Sequence, residues 1–415
     1  MTSLAESLED VLPKDEHFAL ANMQSTPKLS KPVLYQPERP HTVKIIHFIV
    51  LFHKQTPVLA TEVYVYLTIA ETLKRTIYVS KVDTTGLTKV KFGRVVQRIL
   101  EWLFEYPVTQ YLRDLKVKHT YKTVLKPHPP FTSPVQKALH ILVERAKGDK
   151  DYGVPQIVES NSYRVPSRFL SLANSDCRTD LVLFTRAESQ YLFPNSNKND
   201  GKHILDDEGL LKWWLRSINL SVNKSFTSAQ KYVDILNSEP RQISRYFPEN
   251  DWKIGSIYNR PEKSHDLAVY NIPLLPDDPK GRFLEHLVVE NRAKKVSLSQ
   301  FWTELAFRQE FRLGRIVGLI GVTGTCNESA PGPLSMLKGK DFENAKKVFT
   351  EFDYSDSSDV EAIYDRVLEY GVELQKMTGR QDITASFSIP ESNKRPVTDL
   401  GMLVKRKKST TKLLS

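Results

Sequence analysis

Cysteine is nearly absent from this chain of 415 residues, which carries only Cys177 and Cys326. Two thiols make neither a disulfide framework nor the four-ligand set of a structural zinc site, so a reducing compartment is expected. No apolar run is long enough to span a bilayer. The N-terminus, MTSLAESLEDVLPKDEHF, has acids where a secretory signal has bases. A soluble intracellular protein with no membrane partner is therefore expected. Acids are in deficit too, 49 Asp and Glu against 59 Lys and Arg, for a net charge of +10. That balance favours nucleic acid, acidic proteins or phosphate-bearing cofactors as partners, without the charge density of a histone-like DNA binder. Also missing are an internal repeat, a Walker loop, a dinucleotide fingerprint and any Ser–His–Asp spacing. His41, His47 and His53 have no cysteine or acid at ligand spacing, so no metal is expected.

What is present is an ordinary globular composition, 40% hydrophobic and 26% charged, long enough for one large or two medium domains. A short amphipathic helix is expected over residues 4–12, and no helix over the proline-rich residues 24–42. Three Val-, Ile- and Tyr-rich runs, Val43–Phe52, Val58–Ile69 and Thr76–Val82, read as a strand meander. A helix over Val95–Phe104, another over Val135–Arg145 and a mobile loop at 147–168 follow. A strand at Leu181–Thr185 enters a polar loop carrying Tyr191, Phe193, Pro194, Lys202 and His203, and a helix begins near Asp206. Beyond it we expect a helix at Thr227–Leu236, a strand at Leu267–Ile272, and helices from Pro279 and over Leu298–Phe311. An apolar strand at Arg315–Val322, helices at Phe342–Phe352 and Val360–Met377, and a tail with the basic run VKRKKS complete the chain. Strands and helices mixed without a βαβ rhythm predict an α/β fold: one large domain, a mixed central sheet flanked by helices.

Two stretches besides the polar loop could carry chemistry. Around the start of the helix after the third strand, Lys89, Lys91 and Arg94 surround Gly93. Free N–H groups, a glycine and cations suit a pyrophosphate; a solvated basic turn fits the same residues. In Pro276-Asp277-Asp278-Pro279-Lys280-Gly281-Arg282, Asp278 stands where a helix N-cap is expected, with Pro279 at the first helical position. A capping carboxylate is a weak base, but the acid pair can still hold a cationic amine. RIVGLIGVTG is glycine-rich yet reads as a buried strand, not a cofactor loop.

Taken together, VSKVDTTG, LFTRAESQYLFPNSNKNDGKHIL, LKWW, LAVYNIPLLPDDPKGRF and VSLSQFW resemble the fungal histone H3 acetyltransferases. The resemblance implies a fold similar to the metazoan CBP-type coactivator acetyltransferases, with acetyl-CoA in a channel beside the substrate groove. It implies acetylation of newly made histone H3, with H4 and histone chaperones, in the nucleus, for chromatin assembly and genome stability. It places acetyl-CoA contacts on Val82, Asp83 and Thr84, on Lys89, Val90, Lys91, Phe92 and Gly93, and on Phe184, Glu188, His203, Ile204, Leu205 and Trp213. Asp278 matches the catalytic acid and Lys280 the autoacetylated lysine. Asp83, Tyr191, Trp214, Asp277 and Arg282 match positions tied to activity. The family domain would span 1–400, followed by a basic tail at 401–415 suited to nuclear import, acidic chaperones or secondary DNA contact. Transfer needs a neutral lysine amine, and Trp213, Trp214, Tyr191 and Phe193 are expected to line a desolvating tunnel for it. Asp278 would orient the ammonium, and Tyr191 would donate to the leaving thiolate. The alternative is a non-catalytic chromatin or chaperone-binding scaffold, with the same aromatics as core.

Overall fold

The computed structural model describes residues 3–35, 40–113, 115, 121–124, 133–150, 152, 156–159, 177–259, 264–308, 311, 315–329 and 332–382. The basic tail lies outside them, as does most of the stretch expected to be a mobile loop. The strands are β1 (His17–Ser25), β2 (Lys28–Ser30), β3 (His41–His53), β4 (Thr56–Ile69), β5 (Leu73–Thr84), β6 (Tyr121–Val124), β7 (Gln156–Glu159), β8 (Arg178–Phe184), β9 (Phe226–Ile235), β10 (Trp252–Ile254), β11 (Gly318–Cys326), β12 (Ser335–Leu337) and β13 (Leu374–Thr378). The helices are α1 (Leu4–Glu9), α2 (Gly93–Glu105), α3 (Val108–Arg113), α4 (Pro134–Ala146), α5 (Asp207–Ser225), α6 (Pro240–Ile243), α7 (Ala268–Asn271), α8 (Pro279–Val289), α9 (Leu298–Leu305), α10 (Gly339–Thr350) and α11 (Ser357–Glu369).

Eleven strands form one mixed sheet in the order β10-β9-β11-β8-β5-β4-β3-β1-β12, with β13 also on β1 and β2 on β3. Alternate residues of β3 serve two cores. Val43, Ile45, Ile49 and Leu51 join α1, α2 and α5 on one face, whereas Ile46, Phe48, Val50 and Phe52 meet α10 and α11 on the other. With both faces covered, the strands read as continuous apolar runs, which is why the meander stands out in the sequence. A third core gathers α7, α8 and α9 against Val317 and Leu319.

The antiparallel meander β3-β4-β5 meets β8 in parallel. The C-terminal ends of β5 and β8 therefore open on the same edge, and from them the chain runs through polar loops into α2 and α5. Such an edge is where open α/β sheets hold ligands. A bulge sharpens it. Glu62 pairs with Lys81 but Val63 with Val79, so Ser80 is an extra residue. Val79 and Val82 thus both pack toward the first core, and Lys81 and Asp83 turn to the other face.

Arg75, fully buried on β5, ties the far end of α2 to the sheet. Its guanidinium donates to the Phe104 and Tyr106 carbonyls at 2.6 and 2.7 Å and to Thr179 Oγ1 at 3.0 Å. The last carbonyls of a helix have no intrahelical partner, and a cation there also meets the negative end of the helix dipole. His47, on β3, is buried among Trp102, Tyr106 and Tyr111, with Nε2 2.6 Å from the Tyr111 hydroxyl.

Several expectations need correction. The segment at Thr227–Leu236 is strand β9, not a helix: its inward positions are Lys231, Val233 and Ile235, and the buried lysine hides the period of two. Lys231 is tolerated because Asn219, Asn223 and Asp251 surround its ammonium. Leu267–Ile272 is not a strand but the single turn α7, closed by Asn271 Nδ2 donating to the Leu267 carbonyl. The helix expected to reach Phe311 ends at Leu305, and the one expected to reach Met377 ends at Glu369 and gives way to β13. β1 was not anticipated, because Asn22 and Gln24 interrupt its apolar pattern, nor were β2 within the proline-rich segment, β10 and β12. Within 147–168, Gln156–Glu159 forms β7 and pairs with β6.

Two outcomes follow from the buried polar groups. Arg75→Met strands two carbonyls and should cost about 3–5 kcal/mol in urea denaturation; a loss under about 1 would refute the anchoring role. Burial pushes the His47 imidazole down to about 3, so it stays neutral in the folded chain while the unfolded chain protonates it below about 6.5. Its contribution is complete above pH 6.5 and is lost as pH falls toward 3, amounting to about 1.3 kcal/mol between pH 7 and 5.5. Replacing His47 by Gln should remove that part of the slope in paired denaturation curves.

Candidate active site

The last residues of β5 organise the site. Asp83 is almost wholly buried, and five donors converge on its carboxylate. Oδ2 accepts from the backbone N–H groups of Tyr191, Leu192 and Phe193 at 2.7, 2.8 and 3.2 Å. Oδ1 accepts from Thr84 N and from Lys202 Nζ, both at 2.8 Å. Lys202 also donates to Ser196 Oγ at 2.7 Å. Asn199 extends the network, donating to the Thr85 and Tyr354 carbonyls at 2.8 and 3.0 Å. A buried carboxylate is stable with this many N–H donors and a paired cation. The polar loop after β8 is therefore folded onto the end of β5 and is not a surface excursion. Gly86, in the left-handed region at φ +76°, and Gly201 fit against one another: a Cβ on Gly86 would lie 2.4 Å from Lys202 N, and one on Gly201 2.2 Å from the Gly86 carbonyl oxygen.

On one side of β5 lies the start of α2. No side chain caps it; Phe92 is its N-cap residue. A Cβ on Gly93 would sit 3.4 Å from Trp213 Nε1, so the indole of α5 covers this helix start closely. Lys89 and Lys91 are exposed beside it, Val90 and Phe92 half-buried. His203 and Ile204 are exposed and Leu205 is half-buried just before α5, whose own start is capped by Asp206 accepting from Gly209 N at 2.7 Å. Uncapped N–H groups, the positive end of a helix and two free-standing lysines are suited to phosphate groups.

On the other side is the start of α8. Asp278 is its N-cap and has no exposed surface; Oδ1 accepts from Lys280 N at 3.0 Å and Lys280 Nζ at 2.8 Å. Oδ2 is buried and has no hydrogen-bond partner among the described residues. Lys280 is equally covered. Asp277, in the left-handed region at φ +55°, faces solvent and pairs with Lys81 at 3.0 Å and Arg282 at 3.2 Å. Hydrogen bonding to Lys81, then to Arg282, holds its carboxyl below the usual range. A cavity of about 380 Å³ opens here, lined by Tyr66, Leu274, Leu275, Pro276, Asp277, Gly281, Arg282 and Glu285. β5 thus joins both halves, through Lys81 to the acid pair and through Asp83 and the following turn to α2.

Other residues singled out in the sequence lie elsewhere. Trp214 is buried in the first core beside Trp213, whereas Phe193 is buried in the second core against Tyr354. The four aromatics therefore do not form a single tunnel wall: Trp213 and Trp214 are on one face of the sheet, Tyr191 and Phe193 on the other. The Tyr191 hydroxyl donates to the Arg186 carbonyl and accepts from Glu188 N at 2.9 Å; burial pushes it up to about 12. Phe184 packs on the third core, Glu188 pairs with Arg186 at 2.7 Å, Val82 packs toward the first core and Thr84 is half-buried. Lys81, Ser196 and Asn199 were not singled out, since a buried hub made of backbone N–H groups leaves no residue-type signature. No group of three metal-ligating side chains, and no helix long and apolar enough to cross a membrane, occurs among the described residues.

The hub is testable directly. Asp83→Asn replaces an acceptor of five donors by a group with donors of its own. Amide exchange at 191–193 should rise at least about tenfold by mass spectrometry, since charged hydrogen bonds contribute about 1.5–3 kcal/mol each. Unchanged protection there would remove the carboxylate from this role.

Residues 4–370 match the family described as histone acetyltransferase KAT11-type domain. The chain is 33% identical over 367 residues to histone acetyltransferase RTT109 of Candida albicans, covering 85% of this chain and 96% of that protein. It is 32% identical over 152 residues to histone acetyltransferase rtt109 of Schizosaccharomyces pombe, covering 33% of this chain and 39% of that one. The crystal structure of Rtt109 from Aspergillus fumigatus superposes with a TM-score of 0.62 at 22% identity, over 92% of this chain and all of that one, which establishes the shared fold. The chain therefore belongs to the KAT11-type histone acetyltransferase family and is a histone acetyltransferase.

Proposed function

We propose that this enzyme transfers acetyl from acetyl-CoA to lysines of newly made histone H3, presented with H4 by a histone chaperone in the nucleus. The observation that carries the reading is the double attachment of the end of β5. An uncapped, lysine-flanked helix start lies on one side of it, and an acid pair beside a cavity lies on the other. Family membership implies acetyl-CoA use, and the residues at α2 fit that group. Lys89, Lys91 and the N–H groups from Gly93 would hold its phosphates, with Trp213 and Ile204 beside them. Bound acetyl-CoA supplies the activated acyl group.

The chain's own residues act on the amine. A lysine of pKa about 10.4 must shed its proton, at a cost of about 4–5 kcal/mol at pH 7. The cavity beside Asp277 is mainly polar, with Tyr66, Leu274, Leu275 and Pro276 supplying its smaller apolar part, so its main effect on the amine is orientation. Asp277, solvent-facing, and Glu285 on the rim attract a basic histone segment electrostatically. Asp278 is a positioning residue: its N-cap bonds and its pair with Lys280 fix the start of α8, and so the place of Asp277. Tyr191, engaged with Arg186 and Glu188, shapes the loop; a direct role toward the thiolate would need its hydroxyl to leave those partners. Positioning of amine and acyl carbon supplies most of the rate. The 401–415 tail is proposed as the import and chaperone-contact segment.

Labelled acetyl-CoA, histones H3 and H4 and a histone chaperone test this. Lys89→Glu with Lys91→Glu should raise KM for acetyl-CoA at least about tenfold and weaken calorimetric binding, with kcat little changed. Asp277→Asn should raise KM for histone, and Asp278→Asn should lower kcat about tenfold or more while acetyl-CoA binding persists. Wild-type kinetics in all three variants would sink the assignment. Incorporation directed elsewhere than H3 would sink the substrate choice alone.

A further inference from the structure

The two cysteines play no part in the site, but they meet in the sheet. β8 and β11 pair antiparallel with Thr325 opposite Arg178 and Gly324 opposite Thr179. Cys326 and Cys177 are the next residues along the two segments, and the Cys177 thiol feels Cys326 electrostatically, although β11 loses its regular register with β9 between Thr325 and Cys326. Both side chains pack toward the same first core, as directly opposed residues must. Each is a free thiol, only partly exposed. Opposed residues place their Cβ atoms about 4.5–5.5 Å apart, close to the 3.5–4.5 Å of a disulfide. Burial raises both thiols, Cys177 up to about 11, and the nearby Arg75 only partly offsets it. Both therefore rest as protonated thiols at neutral pH, so oxidation runs slowly, through the small thiolate fraction, and quickens as pH rises.

We infer that Cys177 and Cys326 form an oxidisable cross-strand dithiol, a modification site for peroxides that closes without disturbing acetyl transfer. In the step, both S–H bonds break and one S–S bond forms. The peroxide accepts two electrons and the two protons, and its O–O bond breaks to give two waters from hydrogen peroxide. The pair lies at the N-terminal end of β8. The seven residues of that strand separate it from the loop at the other end by about 23 Å, at about 3.3 Å per residue. Arg75 also hydrogen-bonds the Cys326 thiol, yet its two short bonds to the Phe104 and Tyr106 carbonyls, which hold α2, do not run through sulfur.

The experiment is to treat the full chain with hydrogen peroxide, alkylate, digest and map by mass spectrometry, with acetyltransferase activity measured on the same sample. The expected result is a Cys177–Cys326 linked peptide pair, absent after dithiothreitol, with activity within about twofold of the untreated enzyme. The Cys177→Ser/Cys326→Ser chain should be as active as wild type and yield no linked pair. Separate sulfinic acids on the two cysteines, or links only between different chains, from a sample that is still folded by circular dichroism, would overturn the pairing. A linked pair accompanied by loss of activity, while the double-serine chain resists the same treatment, would overturn its independence from the site.

Discussion

A single carboxylate holds the working edge of this enzyme together. Asp83 stands at the end of β5, with little contact with water, and accepts from three consecutive backbone N–H groups, from Thr84 N and from Lys202. Without that acceptor the Tyr191–Phe193 segment would bury unpaired donors and Lys202 an unpaired cation, each costly. Because the same strand carries Lys81 two residues earlier, the hub also fixes how far the acid pair on α8 stands from the uncapped start of α2. The spacing between the two helix starts is thus set by the strand and not by the loops that display it.

The sheet makes this arrangement available. β5 and β8 are parallel neighbours within a largely antiparallel sheet, so two loops and two helix starts gather at one edge. The extra residue Ser80 turns Lys81 and Asp83 away from the first core at the point where the strand reaches the site. At the other end of α2, Arg75 closes the helix on its last carbonyls, so the helix with the uncapped start is fastened to β5 at its far end as well.

Much of this was legible in the sequence. The meander, the RIVGLIGVTG strand and the cap at Asp278 follow from apolar runs and from helix-start chemistry, and the motif blocks pointed to the family. Lys231 and the Asn22–Gln24 pair show where such reading fails. A polar residue at an inward position breaks the period, and only its partners, brought from distant segments, make it tolerable. The aromatic residues misled for a related reason. Trp214 and Phe193 are close in sequence and alike in chemistry, yet the strand-to-helix connection sends them to opposite faces of the sheet. Asp83 carried a role by resemblance, but its bonds to backbone N–H groups could not be read from side-chain types at all.

The contact between Gly86 and Gly201 has a consequence for how such chains can diverge. A methyl group on either would enter the backbone of the other loop. The turn after β5 and the loop before α5 therefore cannot drift independently in length or side-chain bulk. A lineage that enlarges one must reshape the other in step, and variants carrying only half of such a change would be purged first.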